Sequence, residues 1–406
     1  MAKTNTRTPT TKFCYFRTVD VSNPLKKTIG IIGGGQLGRM MIEESLRLNT
    51  AFNVLDAPDC PCATLAQKHL HGKLTDASQI KELAAISDVL TYEIEHVNVQ
   101  ALLELEQQGK EIIPSPKVLQ VIQDKGLQKE FFIKHQIPTA PYLLVNNPEE
   151  WQLAIQQLGG EKMVAKTRTE GYDGKGVQIF NTADILNSSN HIPFTEPCVL
   201  EQFIPCQKEL SVMVAVDKSG NVVTWPVVEM VFDAKANLVT FLDCPASINE
   251  TAEQKARAIA HQTIQAFNSA GVFAVEMFLT QSGDILVNEV APRPHNSGHH
   301  TIEACYTSQF EQLVRILAGL PLGSTDLIQP AVMMNLLGSP GVNGPYLLQG
   351  LKEVSAMQGV YVHLYGKKES KPMRKMGHVT IIAPTLAKAR QTAKQVHQTL
   401  VFASAI

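Results

Sequence analysis

The sequence has no apolar run long enough to cross a membrane and no marked excess of charge of either sign. None of its hydrophobic stretches approaches the roughly 18 consecutive apolar residues of a spanning helix, so an integral membrane protein is not expected. Lys and Arg number 36 against 38 Asp and Glu, and the formal net charge of -2 excludes a general affinity for nucleic acid or anionic membranes. Charged residues are only 18% and hydrophobic residues 44% of the 406, which predicts folded domains with sizeable cores.

Cysteine is sparse and follows no pattern. The seven cysteines are scattered and odd in number, which favours reduced thiols in the cytoplasm over a disulfide framework. Cys60 and Cys62 form the one close pair, and no second pair completes a metal site. Residues 1–27 are rich in Thr and in basic side chains. We expect a disordered extension there, although a transit peptide or a start codon placed too early would have the same composition.

The remaining chain divides into three parts by its pattern of predicted elements. Residues 28–126 alternate short apolar strands with helices, which predicts an α/β domain with a doubly wound parallel sheet. Residues 127–320 have longer strands of antiparallel character and a long helix at 250–269, which predicts an α+β domain. Residues 321–406 predict a small β-rich domain that ends in a helix.

A glycine-rich turn follows the first predicted strand. The run Gly33–Gly38 fits G-x-G-x-x-G between a strand and a helix, where backbone amides can bind a phosphate. Asp56 ends the second strand, at the place of the ribose-binding acid in a dinucleotide fold. Three interpretations stay open: a phosphate site, a nicotinamide-dependent oxidoreductase, or a tight turn that only packs helix against strand.

A second glycine-rich loop, Gly171–Gly176, lies between two predicted strands. Its glycines allow backbone amides to close over phosphates, while Lys175 adds a cation and Asp173 could accept hydrogen bonds from an amine. Lys166 ends the preceding apolar strand, which favours a polyphosphate ligand. A plain hairpin is the alternative, since Asp-Gly is a hairpin signal.

Two carboxylates, Glu276 and Glu289, lie in apolar strands joined at Ser282-Gly283. With those two residues as the loop, the carboxylates are equally far from it and directly opposed on one face. Opposed carboxylates repel and are costly to bury, and a divalent cation removes both penalties. Oxygen ligands next to a phosphate site favour Mg²⁺, and Asn288 adjoins it. A solvated hairpin face is the alternative.

A polar string, residues 291–300, follows this hairpin at once. It contains Arg293, His295, Asn296 and Ser297, and a loop beside a metal site suits substrate contacts. Its closely spaced histidines do not predict zinc, because no carboxylate or thiolate at suitable spacing completes a ligand set.

A basic cluster lies near the C-terminal strands. Lys367, Arg374 and Lys375 could bind one phosphate monoester through charge-assisted hydrogen bonds. A solvated surface turn has the same composition, so spacing alone does not decide.

In this order the motifs resemble those of the ATP-grasp carboxylate–amine ligases, and more closely the N5-carboxyaminoimidazole ribonucleotide synthetases of purine biosynthesis. The similarity covers about residues 28–400 and is most specific in segments 33–40, 171–176, 288–299 and 374–378. It implies pre-ATP-grasp, ATP-grasp and small C-terminal domains in a homodimer. It also implies that ATP and Mg²⁺, with two ions in turnover, activate bicarbonate as carboxyphosphate. The amine of 5-aminoimidazole ribonucleotide is then carboxylated, and ADP and phosphate are released.

The resemblance further implies roles for single residues. The ATP-binding positions are Lys125, Lys166, Gly171, Gly174, Gly176, Glu201, Gln202, Phe203, Ile204, Glu209 and Asn288. The Mg²⁺ ligands are Glu276 and Glu289. The positions around bicarbonate and the amine are Tyr172, Asp173, Lys175, Arg293, His295 and Lys367. The contacts to the substrate nucleotide are Gln36, Leu37, Glu93, Asn296, Ser297, Lys367, Arg374 and Lys375.

Several points stay open at the level of sequence. Either His295 or Asp173 could take the amine proton. Glu170 stands where the family usually has glycine, and Phe232 where a histidine near ATP is common. The alternatives are a sibling ligase that formylates glycinamide ribonucleotide, the oxidoreductase, and an inactive nucleotide sensor. The Gly171–Gly176 loop favours the carboxylating enzyme over the formylating one.

Overall fold

The computed structural model describes residues 26–169, 171, 176–187, 192–233 and 238–405, and it leaves out the side chains of residues 232, 233, 238 and 239. A five-stranded parallel sheet forms its N-terminal part. The strands are β1 Thr28–Ile32, β2 Ala51–Asp56, β3 Lys68–His71, β4 Val89–Tyr92 and β5 Glu111–Ile112, in the order β3-β2-β1-β4-β5. The helices between them are α1 Gln36–Ser45, α2 Ala77–Ala85 and α3 Val99–Gln107. The predicted parallel sheet is confirmed.

Both faces of this sheet are covered, which is why its strands are continuous apolar runs. Ile31 and Val54 pack into one core, and their neighbours Ile32 and Leu55 pack into another core on the opposite face. All four side chains are 0% exposed.

Two short helices, α4 Pro116–Ile122 and α5 Lys125–Lys134, connect the parallel sheet to the next layer. Asp124 caps α5 by accepting hydrogen bonds from the amides of Gly126 and Leu127. The same carboxylate forms an ion pair with Arg168 at 2.7 Å. The N-terminus of α5, which carries Lys125, is thereby fixed against the strand that precedes Arg168.

A four-stranded antiparallel sheet follows. Its strands are β6 Tyr142–Val145, β7 Lys162–Thr167, β8 Val177–Asn181 and β9 Cys198–Gln202, in the order β6-β9-β7-β8. Helices α6 Trp151–Leu158 and α7 Thr182–Leu186 belong to this layer. Trp151, Met163 and Leu200 form its core and have no more than 1% of their surface exposed.

A nine-stranded sheet forms the rest of the molecule. Its strands are β10 Cys206–Val216, β11 Val222–Thr224, β12 Val228–Asp233, β13 Leu238–Cys244, β14 Gly271–Thr280, β15 Ile285–Ala291, β16 Ala331–Leu337, β18 Val360–Leu364 and β19 Lys375–Ile382. The main path runs β15-β14-β10-β12-β13-β16-β19-β18, and β11 pairs with β10. The helices are α8 Glu250–Phe267, α9 Thr301–Ala304, α10 Gln309–Ala318, α11 Leu351–Ser355 and α12 Leu386–Thr399. A small pair, β17 Tyr346–Gln349 and β20 Val401–Ser404, lies apart.

This sheet is continuous across the predicted boundary at 320, because β13 pairs with β16. The boundaries at 126 and 320 stay predictions. One predicted strand, 222–228, is wrong: the chain leaves the ladder between β11 and β12, where buried Trp225 donates its indole N–H to the carbonyl oxygen of Thr307 and Pro226 follows. In the described part of the chain, no helix is long and apolar enough to cross a membrane.

Candidate active site

Glu276 and Glu289 lie directly opposite each other on β14 and β15, as predicted. The predicted two-residue turn, however, is wrong. The loop is 281–283, closed by backbone bonds across it, and its Gly283 has φ of +85°. A β-bulge at Asn288 then shifts the register by one residue and restores the pairing of the two carboxylates.

The two carboxylates have different electrostatic surroundings. Glu289 Oε2 lies 2.8 Å from Lys125 Nζ, and this cation holds the pKa of Glu289 below its usual range. Only 16% of the Glu276 side chain is exposed, so burial, together with repulsion from Glu289 and Glu209, raises the pKa of Glu276. Burial also raises the pKa of Glu209, to about 7. A divalent cation would offset this repulsion, and the oxygen donors fit Mg²⁺.

A buried ion cluster lies beside the hairpin. The carboxylate of Glu201, 2% exposed, lies 3.0 Å from Lys166 Nζ and 3.1 Å from Lys129 Nζ through its two oxygens. Lys166 also donates to Asn288 Oδ1 at 2.8 Å. Two ammonium groups around one carboxylate leave a positive charge beside the proposed metal site, which suits a polyphosphate.

Lys129 is a member of this cluster that sequence reasoning misses. Its ammonium group donates to Thr139 Oγ1 at 2.5 Å, and Thr139 donates to the carbonyl oxygen of Val287 at 2.7 Å, one residue before the bulge. Burial lowers the pKa of Lys129 to about 8. The one available sequence signal is its position three residues before Phe132, on the apolar face of α5.

The predicted adenine segment, Glu201–Ile204, is held by neighbouring backbone. The Gln202 side-chain amide donates to the carbonyl oxygen of Leu158 at the end of α6. The amide of Phe203 donates to the carbonyl oxygen of Lys162 at 3.3 Å. These bonds fix the path of the segment, and its role toward adenine stays a prediction.

The glycine-rich turn binds the protein's own carboxylates. Glu93 accepts hydrogen bonds from the amides of Gly35 and Gly38, the latter at 2.5 Å. Asp56 accepts from the amide of Gly34 at 2.6 Å. In this structure side-chain carboxylates engage these three amides, and the predicted binding of a ligand phosphate at this turn stays a prediction. Asp56 also binds an amide of the turn, that of Gly34, so its position at the end of β2 no longer favours a dinucleotide ribose site.

Replacing Glu93 by alanine is expected to destabilise the protein. Glu93 is 8% exposed and fixes the start of α1, where the predicted substrate contacts Gln36 and Leu37 lie. Without its carboxylate the amides of the turn lose their acceptor, so the free energy of unfolding should fall by about 1–3 kcal/mol. Denaturant unfolding measures this. Glu104 on α3, a surface carboxylate that pairs with Lys81, is the matched control, and its alanine variant should change the free energy by less than about 0.5 kcal/mol. Equal effects would contradict the assignment.

Two side chains of the polar string, residues 291–300, contact two separate carboxylates. Arg293 Nη2 lies 2.8 Å from Glu95 Oε1, which belongs to the loop after β4. His295 Nε2 lies 3.4 Å from Glu276 Oε1. Glu95 is a second residue that sequence reasoning misses, and no local signal links it to a residue 198 positions away (293 − 95). Among the described residues no three His, Cys, Asp or Glu side chains are grouped to hold a metal ion.

Two predicted substrate contacts of the string are engaged within the protein. Asn296 and Asn335 on β16 exchange two amide hydrogen bonds, at 2.8 and 2.9 Å. Ser297 is 1% exposed, and its hydroxyl lies 2.8 Å from that of Ser211. The Ser297 hydroxyl is therefore turned toward Ser211 in this structure, and the predicted roles of Asn296 and Ser297 toward substrate stay predictions.

The basic cluster forms the connection between β18 and β19. Lys367 Nζ donates to the carbonyl oxygen of Lys375 at 2.6 Å, and Arg374 donates to a carbonyl oxygen of the same connection at 2.8 Å. Arg39 of α1 and Tyr365, which directly follows β18, line a cavity of about 170 Å³. The connection thus lies close to the start of α1, and its predicted role toward phosphate stays a prediction.

Several predicted residues lie outside the described part of the chain: Glu170, Tyr172, Asp173, Gly174 and Lys175, as does the side chain of Phe232. The two ends of the loop are described. Gly176 has φ of +73°, and its carbonyl oxygen accepts a hydrogen bond from the amide of Thr167 at 2.9 Å.

Three family models match consecutive parts of the chain. They are the ribonucleotide synthetase preATP-grasp domain at residues 26–123, the ATP-grasp domain at 130–310, and the phosphoribosylaminoimidazole carboxylase C-terminal domain at 331–392. Together they cover most of the described fold and agree with the predicted fold class.

Relatives and solved structures point to the same family. The chain is 39% identical over 89% of its length to phosphoribosylaminoimidazole carboxylase from Candida glabrata, but it spans only 64% of that longer protein. The N5-carboxyaminoimidazole ribonucleotide synthetase structure from Thermotoga maritima has 43% identity and a TM-score of 0.84, with 93% of this chain and 99% of that one covered. The Aspergillus clavatus synthase, solved with ADP and 5-aminoimidazole ribonucleotide, has 34% identity, a TM-score of 0.84 and coverages of 92% and 98%. The chain therefore belongs to the N5-carboxyaminoimidazole ribonucleotide synthetase family of ATP-grasp proteins.

Proposed function

We propose that the protein is an ATP-dependent ligase that carboxylates 5-aminoimidazole ribonucleotide with bicarbonate, by way of carboxyphosphate. The products are N5-carboxyaminoimidazole ribonucleotide, ADP and phosphate. The observation that carries the proposal is the opposed pair Glu276 and Glu289 beside the lysine cluster of Lys125, Lys129 and Lys166. The Aspergillus clavatus relative, with its bound ADP and 5-aminoimidazole ribonucleotide, supports the choice of substrates.

Glu276 and Glu289 are the residues that would hold Mg²⁺, with two ions during turnover. The fit rests on the raised pKa of Glu276, whose charge is repelled by its neighbours and lacks a direct ion pair with a lysine or arginine among the described contacts. When bound, the metal would supply Lewis-acid stabilisation of phosphoryl oxygens.

The chain's own residues would bind and orient the reactants. Lys125 and Lys166 would hold the ATP phosphates and offset the charge that develops on the transferred oxygens. Arg293, placed by Glu95, would bind the carboxyl oxygens of bicarbonate. The Gly171–Gly176 loop would exclude water from carboxyphosphate, and the family resemblance assigns Tyr172, Asp173 and Lys175 to bicarbonate and the amine.

We propose the same roles for the predicted contacts to the substrate nucleotide, which would bind 5-aminoimidazole ribonucleotide. Arg39 of α1 and Tyr365, which precedes the connection that carries Lys367 and Arg374, line one cavity, and we expect the ribose phosphate to bind near this connection. We further propose that the protein acts in the cytoplasm, as a homodimer.

Phosphate release with two substrate pairs tests the proposed function. Bicarbonate plus 5-aminoimidazole ribonucleotide should stimulate ATP-dependent phosphate release, and formate plus glycinamide ribonucleotide should not. The reverse preference would support the formylating ligase. No stimulation by either pair, with ATP bound, would support the inactive sensor and overturn the proposal.

A further inference from the structure

Strand β15 lies at one end of the main path of the nine-stranded sheet, so one of its edges pairs with β14 and the other has no strand of that sheet beside it. Groups from α5 and from the segment after it hold this second edge. Val287 donates its amide to the carbonyl oxygen of Pro138 at 2.7 Å and accepts a hydrogen bond from the Thr139 hydroxyl at 2.7 Å. Val290 donates its amide to Gln128 Oε1 at 3.3 Å. These contacts lie on either side of the bulge in β15.

The spacing of these contacts is that of a bulged strand. In a regular antiparallel strand, the backbone groups that point away from the neighbouring strand recur at every second residue. The two amides that bond outside the sheet here belong to Val287 and Val290, three residues apart, because Asn288 is the extra residue of the bulge. Gln128 and Thr139 therefore bond to backbone that would move if the bulge relaxed to regular pairing.

The two residues between these contacts carry side chains of the candidate site. Asn288 Oδ1 accepts a hydrogen bond from Lys166 at 2.8 Å, and Glu289 Oε2 lies 2.8 Å from Lys125 Nζ. A shift of register by one residue turns side chains to the opposite face of a sheet. The backbone at 288–289 therefore determines whether Glu289 opposes Glu276.

One face of α5 contacts this backbone and its side chains. Lys125, Gln128 and Lys129 are three and four residues apart, so they share a face of the helix. Gln128 is 4% exposed, although it carries no charge and has a polar amide. The Lys129 ammonium group can only donate, so Thr139 Oγ1 accepts from it and gives its own proton to the Val287 carbonyl oxygen. The same helix thus holds Glu289 by a cation and the backbone around it by polar side chains.

We propose that Gln128 and Thr139 are positioning residues that hold the β15 bulge in register, so that Glu289 stays opposite Glu276 as a ligand of the divalent cation. The inference rests on the proposed function for the metal that the two carboxylates would hold. Neither Gln128 nor Thr139 is among the proposed ligands. Loss of either backbone contact should nevertheless weaken metal binding, because the carboxylate pair depends on the bulge.

Binding of Mn²⁺ to the full chain tests this role without turnover. Mn²⁺ prefers the same oxygen ligands as Mg²⁺, and the loss of the free ion's EPR signal measures its Kd, with Glu289→Gln as the variant that identifies the site. Gln128→Met removes the acceptor at similar volume and should raise the Kd about 10-fold or more. Gln312→Met is the matched control, since Gln312 is 0% exposed and accepts from the amide of Gly323 at 2.8 Å. It should also lose stability, but its Kd should stay within about 2-fold of the wild type.

Two substitutions at Thr139 separate its hydroxyl from its shape. Thr139→Val keeps the branched side chain and loses the hydroxyl, so its Kd for Mn²⁺ should rise about 10-fold. Thr139→Ser keeps the hydroxyl, and its Kd should stay within about 3-fold of the wild type. Thr325→Val is the matched control, because the Thr325 hydroxyl donates to the carbonyl oxygen of Thr224 at 2.8 Å, and its Kd should not change. Far-UV circular dichroism verifies folding, and if Thr139→Val or Gln128→Met does not fold, the other variant decides.

The outcomes separate this inference from the proposed function. Folded Gln128→Met and Thr139→Val variants with the wild-type affinity for Mn²⁺ would overturn the positioning role, even if the enzyme carboxylates its substrate. Weaker binding in these variants of a protein that fails the phosphate-release assay would support the positioning and reject the reaction. Equal Mn²⁺ binding by the wild type and Glu289→Gln would overturn the metal site and this inference with it.

Discussion

Replacing Glu276 by glutamine is expected to lower kcat by at least about 10³-fold and, in the absence of metal, to stabilise the protein. The loss of activity follows because the Lewis-acid contribution of a bound metal is several kcal/mol, and glutamine removes one of its two carboxylate ligands. The gain in stability follows because Glu276 is buried and repelled by Glu289 and Glu209. A residue that costs stability while supporting turnover is typical of a functional site.

The raised pKa of Glu276 also predicts the direction in which the stability of the protein changes with pH. The pKa of Glu276 is raised in the folded state, so the folded protein binds more protons than the unfolded chain at pH values above the ordinary glutamate value of 4.5. Wild-type stability should therefore fall as the pH rises from there, and the Glu276→Gln variant should lose less. Denaturant unfolding over a pH series, without and with Mg²⁺, measures both effects.

The matched control for Glu276 is Glu253 on α8, which forms a surface ion pair with Arg257. Its glutamine variant should change neither kcat nor the response to Mg²⁺. Added Mg²⁺ should raise the stability of the wild type more than that of Glu276→Gln, because binding to the folded state adds stability. Full turnover by Glu276→Gln, or an equal response to Mg²⁺, would contradict the metal assignment.

Replacing Lys129 by methionine is expected to lower kcat/KM for ATP about 10- to 100-fold, the range seen when a supporting partner of a site is lost. Glu201 would then be left with Lys166 alone, and the cluster would lose its excess positive charge. Lys166 should be drawn toward Glu201 and away from a bound polyphosphate, so KM should rise more than kcat falls. One oxygen of a buried carboxylate would lose its cation, which should lower the free energy of unfolding by about 1–3 kcal/mol.

Steady-state kinetics with varied ATP and a denaturant series measure these effects. Lys134→Met, on the same helix and exposed, is the matched control and should change the free energy by less than about 0.5 kcal/mol. Lys129→Arg keeps the charge and should restore part of the ATP affinity. If Lys129→Met destabilises the protein but leaves KM for ATP unchanged, Lys129 has only a structural role.

The sequence predicts the carboxylate pair well, although for a partly wrong reason. The predicted loop is one residue too short, and the prediction omits the bulge. Each error shifts the pairing of the two strands by one residue, in opposite directions, so Glu276 and Glu289 are still directly opposed. The apolar pattern of both strands determines which side chains share a face. The pattern does not reveal the bulge at Asn288, which has no distinct signal in a single sequence.

The sequence predicts long-range contacts poorly. The partners Glu95 of Arg293, Asn335 of Asn296 and Ser211 of Ser297 lie far away in the chain and come together only when three layers pack. The glycine-rich turn is a related case, because two of its amides donate to Glu93 after a neighbouring strand, and the motif alone does not reveal this partner. Short-range motifs therefore identify the family and its site, while packing determines which donors and acceptors remain for a ligand.

Transfer of labelled carbon tests the proposed reaction most directly. The protein is incubated with ATP, Mg²⁺, 5-aminoimidazole ribonucleotide and ¹³C-bicarbonate, and the product is followed by NMR while phosphate is measured. We expect one labelled carbamate carbon on the exocyclic nitrogen for each phosphate released. Phosphate release without labelled nucleotide, or labelling that does not require ATP, would contradict the proposed carboxylation.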